Sequence, residues 1–230
     1  MKAFIFARGG SKGIKDKNIS FIYQSKTLLE HTIENLNKID FINEVYVSTD
    51  SKKIANVAKN YNVEIIERPD ELASDTSNEI NSWRHIANNL SMDKDEPFFV
   101  TPVTSPFRNV NDFFNAKNLW ETNNFEIILT RKKSSKNPFL NMITENQKGK
   151  LMPLKSKENI FRRQDAPLFY DILGLLYLTT PGYIENTKSL VDGKVGWVDI
   201  PENRSMDIDN PWDLELARLI YQNKLYEKKI

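Results

Sequence analysis

Ala3-Phe4-Ile5-Phe6-Ala7-Arg8-Gly9-Gly10-Ser11-Lys12-Gly13 places five apolar residues directly before three of the chain's eight glycines. An apolar run of this length, bounded by glycine, reads as a strand buried on both faces, and the natural home of such a strand is a parallel central sheet. The glycines stand at its carboxyl end, where open α/β sheets bind ligands, and glycine lets backbone N–H groups come close to a phosphate. The loop continues Ile14-Lys15-Asp16-Lys17-Asn18, so Arg8, Lys12, Lys15 and Lys17 stand against one acid, Asp16. The segment reads as a polyphosphate cradle. No Gly-Lys-Ser/Thr closes it and no Gly-x-Gly-x-x-Gly occurs in it, which counts against Walker-type ATPases and nicotinamide enzymes. The plainer alternative is a flexible surface loop with ordinary lysines.

Outward from this loop the chain alternates. Leu28, Leu29, Thr32, Ile33, Leu36 and Ile39 recur at helical spacing, and Val45-Tyr46-Val47 reads as a second strand. A helix over 52–60, a strand over 63–66, a helix over 79–90, a strand over 97–101, a helix over 111–120 and a strand over 126–130 follow. Such alternation predicts an α/β fold, a doubly wound and mostly parallel sheet with right-handed crossovers. A lysine-rich, turn-rich stretch over 131–164 breaks the rhythm and reads as an arm or insertion at about 131–170. Strands over 172–179 and 194–200 and a closing helix from Pro211 restore it, proline being a good first-turn residue. With no repeat and no long Pro/Gly/Ser linker, residues 1–230 are expected to form one domain.

Composition narrows the function. Of 230 residues 40% are hydrophobic and 27% charged, enough apolar content for a core. Lysine plus arginine number 32 against 31 acids, so a net charge of +1 gives no general attraction to nucleic acid or an anionic membrane. The absence of cysteine excludes disulfides, thiolate catalysis and iron–sulfur clusters, and two histidines exclude a histidine-rich metal cage. Residues 3–7 are too few for a signal-peptide core or a membrane span, and a soluble cytoplasmic protein is expected.

A second constellation is Ser205-Met206-Asp207-Ile208-Asp209-Asn210-Pro211. In an extended segment Asp207 and Asp209 point to one side, and paired carboxylates beside a phosphate cradle suit an octahedral Mg²⁺ bridging to triphosphate oxygens. The alternative is that Asp209 or Asn210 caps the helix begun at Pro211.

Together with these, Val47-Ser48-Thr49-Asp50, the run Arg68-Pro69-Asp70-Glu71-Leu72-Ala73-Ser74-Asp75-Thr76, Thr104-Ser105-Pro106-Phe107-Arg108 and Arg163-Gln164 occur in an order that resembles the acylneuraminate cytidylyltransferases. The resemblance spans nearly the whole chain. It implies a Rossmann-like nucleotidyltransferase that moves CMP from CTP to the anomeric hydroxyl of a nonulosonic acid, releasing pyrophosphate. It implies a homodimer in which the arm reaches the neighbouring subunit's sugar site. By the same resemblance Arg8, Gly10, Ser11, Lys17 and Asn18 belong to the CTP loop, with Arg8 and Lys17 on the phosphates. Arg68, Asp75 and Thr76 enclose the nucleotide, and Asp207 and Asp209 hold Mg²⁺. Ser105, Arg163 and Gln164 belong to the sugar site, and Arg8, Lys17 and Asp209 carry the catalysis. Two rivals are a cytidylyltransferase for another keto-deoxy sugar acid and a non-catalytic nucleotide-binding relative.

The chain departs from the neuraminate-specific pattern at Pro102, Leu140, Asp171 and Leu173, where relatives carry polar or basic residues. A more apolar pocket suits a deoxygenated, extra-acylated sugar of the legionaminic type, since a missing hydroxyl needs no partner. His31 and His85, on expected helices, read as structural, and the four tryptophans as core or interface residues. Lys132, Lys133 and Lys136 read as a solvated arm surface.

Overall fold

A computed structural model of the chain describes residues 1–23, 25–74, 76–147, 149–154, 160 and 162–228. In chain order the elements begin with β1 (Lys2–Phe6), β2 (Phe21–Tyr23), β3 (Lys26–Thr27), α1 (Leu28–Leu36), β4 (Glu44–Thr49), α2 (Lys52–Ala58) and β5 (Glu64–Glu67). They continue with α3 (Asp70–Ala73), α4 (Glu79–Asn89), β6 (Phe98–Val100), α5 (Val110–Thr122), β7 (Ile127–Lys133), β8 (Ile143–Glu145) and β9 (Leu151–Pro153). β10 (Tyr170–Thr179), α6 (Pro181–Asn186), β11 (Val195–Asp199) and α7 (Pro211–Gln222) complete the set. The central sheet runs β11-β7-β10-β6-β1-β4-β5. It is mostly parallel, and β10 alone runs antiparallel to both of its neighbours, β6 and β7.

The unbroken apolar run that opens the chain is explained by two cores. Ala3, Ile5 and Ala7 pack on one face of the sheet with α1, α2, α5 and α7, while Phe4 packs on the other with Ile80, Trp83 and Ile86 of α4 and Ile184 of α6. β4 divides in the same way, Val45 and Val47 to one side and Tyr46 to the other. Successive strand residues face opposite ways, so a strand covered on both faces must be apolar throughout.

The helix expected over 28–39 stops at Leu36. Asn37 caps it, and Ile39 reaches the core through a turn whose N–H donates to the Leu36 carbonyl. Its start is a full capping box between Thr27 and Glu30.

The arm has more regular structure than its composition suggests. β7 and β10 continue as an antiparallel pair from Thr130↔Leu173 to Lys133↔Tyr170, and β8 and β9 form a hairpin within it. At its root the Arg131 guanidinium lies 3.6 Å from the Tyr170 ring centre and 4.0 Å from that of Trp197, and its Nε donates to Asp199 at 2.8 Å. Arg131 thus ties β7, β10 and β11 together where the arm leaves the sheet.

Candidate functional site

The loop after β1 meets the segment before α7 at the carboxyl end of the sheet. Lys17 Nζ donates to the Ile208 carbonyl at 2.7 Å and lies 3.4 Å from Asp209 Oδ1. Its side chain is largely shielded while that of Asp209 is 76% exposed, so the acid stands at the edge and the cation behind it. The two backbones are closer still. A Cβ on Gly13 would lie 2.1 Å from the Asp209 carbonyl oxygen, which only glycine permits, whereas a Cβ on Gly10 would meet nothing within 4 Å. Gly13 thus admits a neighbouring backbone, while Gly10 leaves open space. Gly9 donates its N–H to Asp50 Oδ1 at 2.8 Å, which fixes the start of the loop.

Arg8, Ser11, Lys12, Lys17, Arg68 and Asp209 line one lobe of the resulting cleft, a cavity of 340 Å³. Asn18 also lines it, but its buried amide donates to the Arg8 carbonyl at 2.9 Å and so shapes the loop. Arg68 is buried beneath, donating from Nε and Nη2 to the Oγ and carbonyl of Ser48. Burial draws its pKa down to about 10, with Asp50 opposing and Arg8 assisting that shift, so it stays charged at neutral pH. A second lobe of 260 Å³ shares Phe6, Arg8 and Arg68 with the first and is lined further by Ser77, Glu79, Trp83 and Pro102. Arg8 Nη1 donates to the Ala73 carbonyl at 3.3 Å, closing the side where α3 lies. Of the expected loop residues there, Thr76 is exposed within 3.4 Å of Ser74 Oγ and Asp75 lies outside the described residues.

Ile208 is buried and donates its N–H to the Thr104 carbonyl at 3.0 Å, holding Asp207 and Asp209 on either side of it. Asp207 Oδ1 accepts from Ser105 Oγ at 3.3 Å and from the Ile208 N–H at 3.1 Å. Ser105 is buried against this acid, so its hydroxyl serves the carboxylate. The helix cap falls to Asn210, whose side chain accepts from the Asp213 N–H in a capping box, leaving the Asp209 carboxylate to Lys17.

Arg163 and Gln164 lie elsewhere. They line a cavity of 560 Å³ in the arm, together with Lys133, Lys136, Leu140 and Leu168. Within one chain the expected sugar residues are thus divided between two places, Ser105 at the cleft and Arg163 and Gln164 in the arm. Leu173 also departs from expectation: it is a core residue, its carbonyl accepting from Thr130 Oγ1 at 2.8 Å, and so it does not line the pocket. The β10 backbone shifts register between Leu173 and Tyr177, and Gly174 in that irregularity faces Pro102, Ser105 and Asp207. Asp50, Thr104 and Glu79 were not singled out by sequence pattern; only Asp50 and Thr104 lie in stretches that the resemblance marked.

A family model described as cytidylyltransferase matches residues 3–230. The chain belongs to the cytidylyltransferase family. This cytidylyltransferase is 29% identical to the CMP-N,N'-diacetyllegionaminic acid synthase of Campylobacter jejuni, over 96% of this chain and 94% of that one. It is 29% identical to the N-acylneuraminate cytidylyltransferase of Escherichia coli over 98% of its own length and 53% of that protein's, so it spans about half of that relative. The post-translational flagellin modification protein B of Campylobacter coli is 28% identical, with 98% and 96% covered. Among solved structures, the CMP:2-keto-3-deoxy-manno-octonic acid synthetase complexed with CTP shares the fold, with a TM-score of 0.73 at 14% identity over 96% of this chain and 98% of that one. These findings make the protein a nucleotidyltransferase enzyme. No helix among the described residues is long and apolar enough to cross a membrane.

Proposed function

We propose that this cytidylyltransferase transfers CMP from CTP to the anomeric hydroxyl of a nonulosonic acid, releasing pyrophosphate. The observation that carries the reading is the Lys17–Asp209 pair at the mouth of a lobe lined by Arg8, Lys12 and Arg68. Chemistry of this kind is mainly positioning and charge stabilisation. Without nucleotide, Lys17 and Asp209 neutralise each other. An arriving triphosphate draws Lys17 and Arg8 to its oxygens, where they offset the charge that grows on the leaving pyrophosphate.

The donor set suits Mg²⁺. Asp207 and Asp209 offer hard carboxylate oxygens on either side of a fixed backbone, and both side chains are exposed. Among the described residues no three His, Cys, Asp or Glu side chains form a closed metal group, which fits an ion completed by substrate oxygens and water. When bound there, the ion would supply charge compensation at the phosphates.

The arm supports a homodimer. Ile143, Leu151, Leu154 and Leu168 are exposed on it, and its cavity carries Arg163 and Lys136 for an acid sugar. Pairing two chains would bring that cavity to the neighbour's cleft, uniting the divided sugar residues. Pro102 at the cleft and Leu140 in the arm support a diacetylated, legionaminic-type sugar.

Pyrophosphate release measured across four nucleoside triphosphates and a panel of nonulosonic acids tests the reading. CTP is expected to be the active nucleotide, Mg²⁺ to be required, and the diacetylated sugar to exceed N-acetylneuraminate in kcat/KM by about 10-fold. No pyrophosphate from CTP with any acid sugar would overturn the reaction; preference for N-acetylneuraminate would overturn the sugar alone.

A further inference from the structure

Arg108 closes the Thr104-Ser105-Pro106-Phe107-Arg108 stretch and is only 4% exposed. Among the described residues it has no ion-pair partner, because the nearby acid Asp112 is taken by Arg204, which donates to it from both terminal nitrogens. The Nε of Arg108 is buried with no partner at all among those residues. Burial draws its pKa down to about 10, with Tyr221, Asp207 and Asp112 opposing, so the guanidinium stays charged at neutral pH. A buried charge with no acid beside it is costly, and only what the group holds can offset that cost.

What the guanidinium holds is a loop. Nη2 donates to the Pro102 carbonyl, and Nη1 donates at 3.2 Å to Thr32 Oγ1, whose own hydrogen goes to the Leu28 carbonyl. The first bond draws the two ends of segment 102–108 together, and the second ties them to α1. Tyr221 adds support, donating to the Pro106 carbonyl at 3.2 Å with its ring centre 5.0 Å from that of Phe107. The same segment meets the acid pair: the Thr104 carbonyl accepts from the Ile208 N–H, and Ser105 Oγ donates to Asp207. We propose that Arg108 is a positioning residue for Asp207, fixing from within the core the segment that in turn fixes where the carboxylate stands. A guanidinium suits this task because its planar fork spans two acceptors at once, which an ammonium does only in part. The inference rests on the reading of Asp207 and Asp209 as Mg²⁺ ligands and concerns what holds them in place.

The test compares wild type with Arg108→Met, Arg108→Lys and Thr32→Val, the last removing one acceptor with little change of shape. Amide exchange followed by NMR, without ligand, reads the Ile208 N–H that the Thr104 carbonyl protects. Exchange there should quicken about 10-fold in Arg108→Met and less in the other two, while the amides of β1 and β4 keep their wild-type rates. Calorimetry then reads CTP binding with and without Mg²⁺, in the absence of sugar. Affinity in metal-free buffer should hold within about twofold, whereas the factor by which Mg²⁺ tightens binding should fall about 10-fold in Arg108→Met, as losing a group that orients a metal ligand does. Arg108→Lys should recover part of that factor. Wild-type exchange at Ile208, a quickening shared by the whole sheet, or a Mg²⁺ factor unmoved where exchange has quickened would overturn the assignment. Should Arg108→Met fail to fold, Thr32→Val decides by the same two readings. A wild type whose CTP binding ignores Mg²⁺ would count instead against the metal reading, and exchange at Ile208 would still decide the role of Arg108.

Discussion

Lys17 is the residue on which the charge argument turns. It sits behind Asp209, tied to the Ile208 carbonyl, so its ammonium is placed before any ligand arrives. Replacing it with alanine should lower kcat by about 10²- to 10³-fold, because a fixed cation acts most where charge grows in the transition state. Sugar KM should change little; steady-state kinetics with sugar and CTP varied in turn separates the two effects, and a change in sugar KM alone would move Lys17 to another role. A second residue speaks to pH. His31 lies against Tyr221 beneath the 102–108 segment, and burial, aided by Arg108, pulls its pKa down to about 3. The folded state refuses a proton that the unfolded chain accepts below about pH 6.5, so stability should be level above that pH and fall beneath it. Thermal melts between about pH 5 and 8 should show this slope flattened in His31→Gln; equal slopes would exclude His31 as its source. The sequence reads Lys17 as a phosphate-site cation and His31 as structural; the structure brings Lys17 to Asp209 and packs His31 against Tyr221.

At the scale of elements, legibility followed burial. β1, β4 and β6 were plain because both faces are covered and each carries an unbroken apolar run, Ala3 to Phe6, Val45 to Val47 and Phe98 to Val100. The β8–β9 hairpin was not, since every residue of its two strands is exposed and no core imposes alternation. The reversed direction of β10 was equally hidden, because an apolar strand reads the same both ways. Leu173 was placed in a pocket on resemblance, and the register shift beside it sends it to the core. The junction of loop and acid segment yields a sharper expectation. Gly13→Ala forces two backbones apart and should cost about 1–3 kcal/mol, whereas Gly10→Ala meets open space and should be near neutral. Denaturant melts of the pair check it; similar losses for both would mean the loop yields freely at Gly13.

For the whole molecule, the separation of Arg163 and Gln164 from Ser105 is not legible in composition or spacing, because it is a matter of where an arm points; only the resemblance, with its arm reaching a neighbouring subunit, anticipates it. The homodimer proposal makes that separation productive. Ile143→Asp with Leu151→Asp places two charges among the exposed apolar residues of the arm and should convert a dimer to a 26.8 kDa monomer by light scattering. CTP binding should survive in that monomer while kcat/KM for the acid sugar falls by about 10-fold or more. A monomeric wild type, or a monomeric variant of full activity, would refute the shared site. The contact between Lys17 and Asp209 also sets an order of events during synthesis, for it joins positions 192 residues apart. A ribosome releases the cationic loop early, and the acid that completes the site emerges only after the sheet strands have been made. A product cut short before residue 207 would hold a cradle for phosphate with neither carboxylate, so interrupted synthesis would yield fragments without turnover.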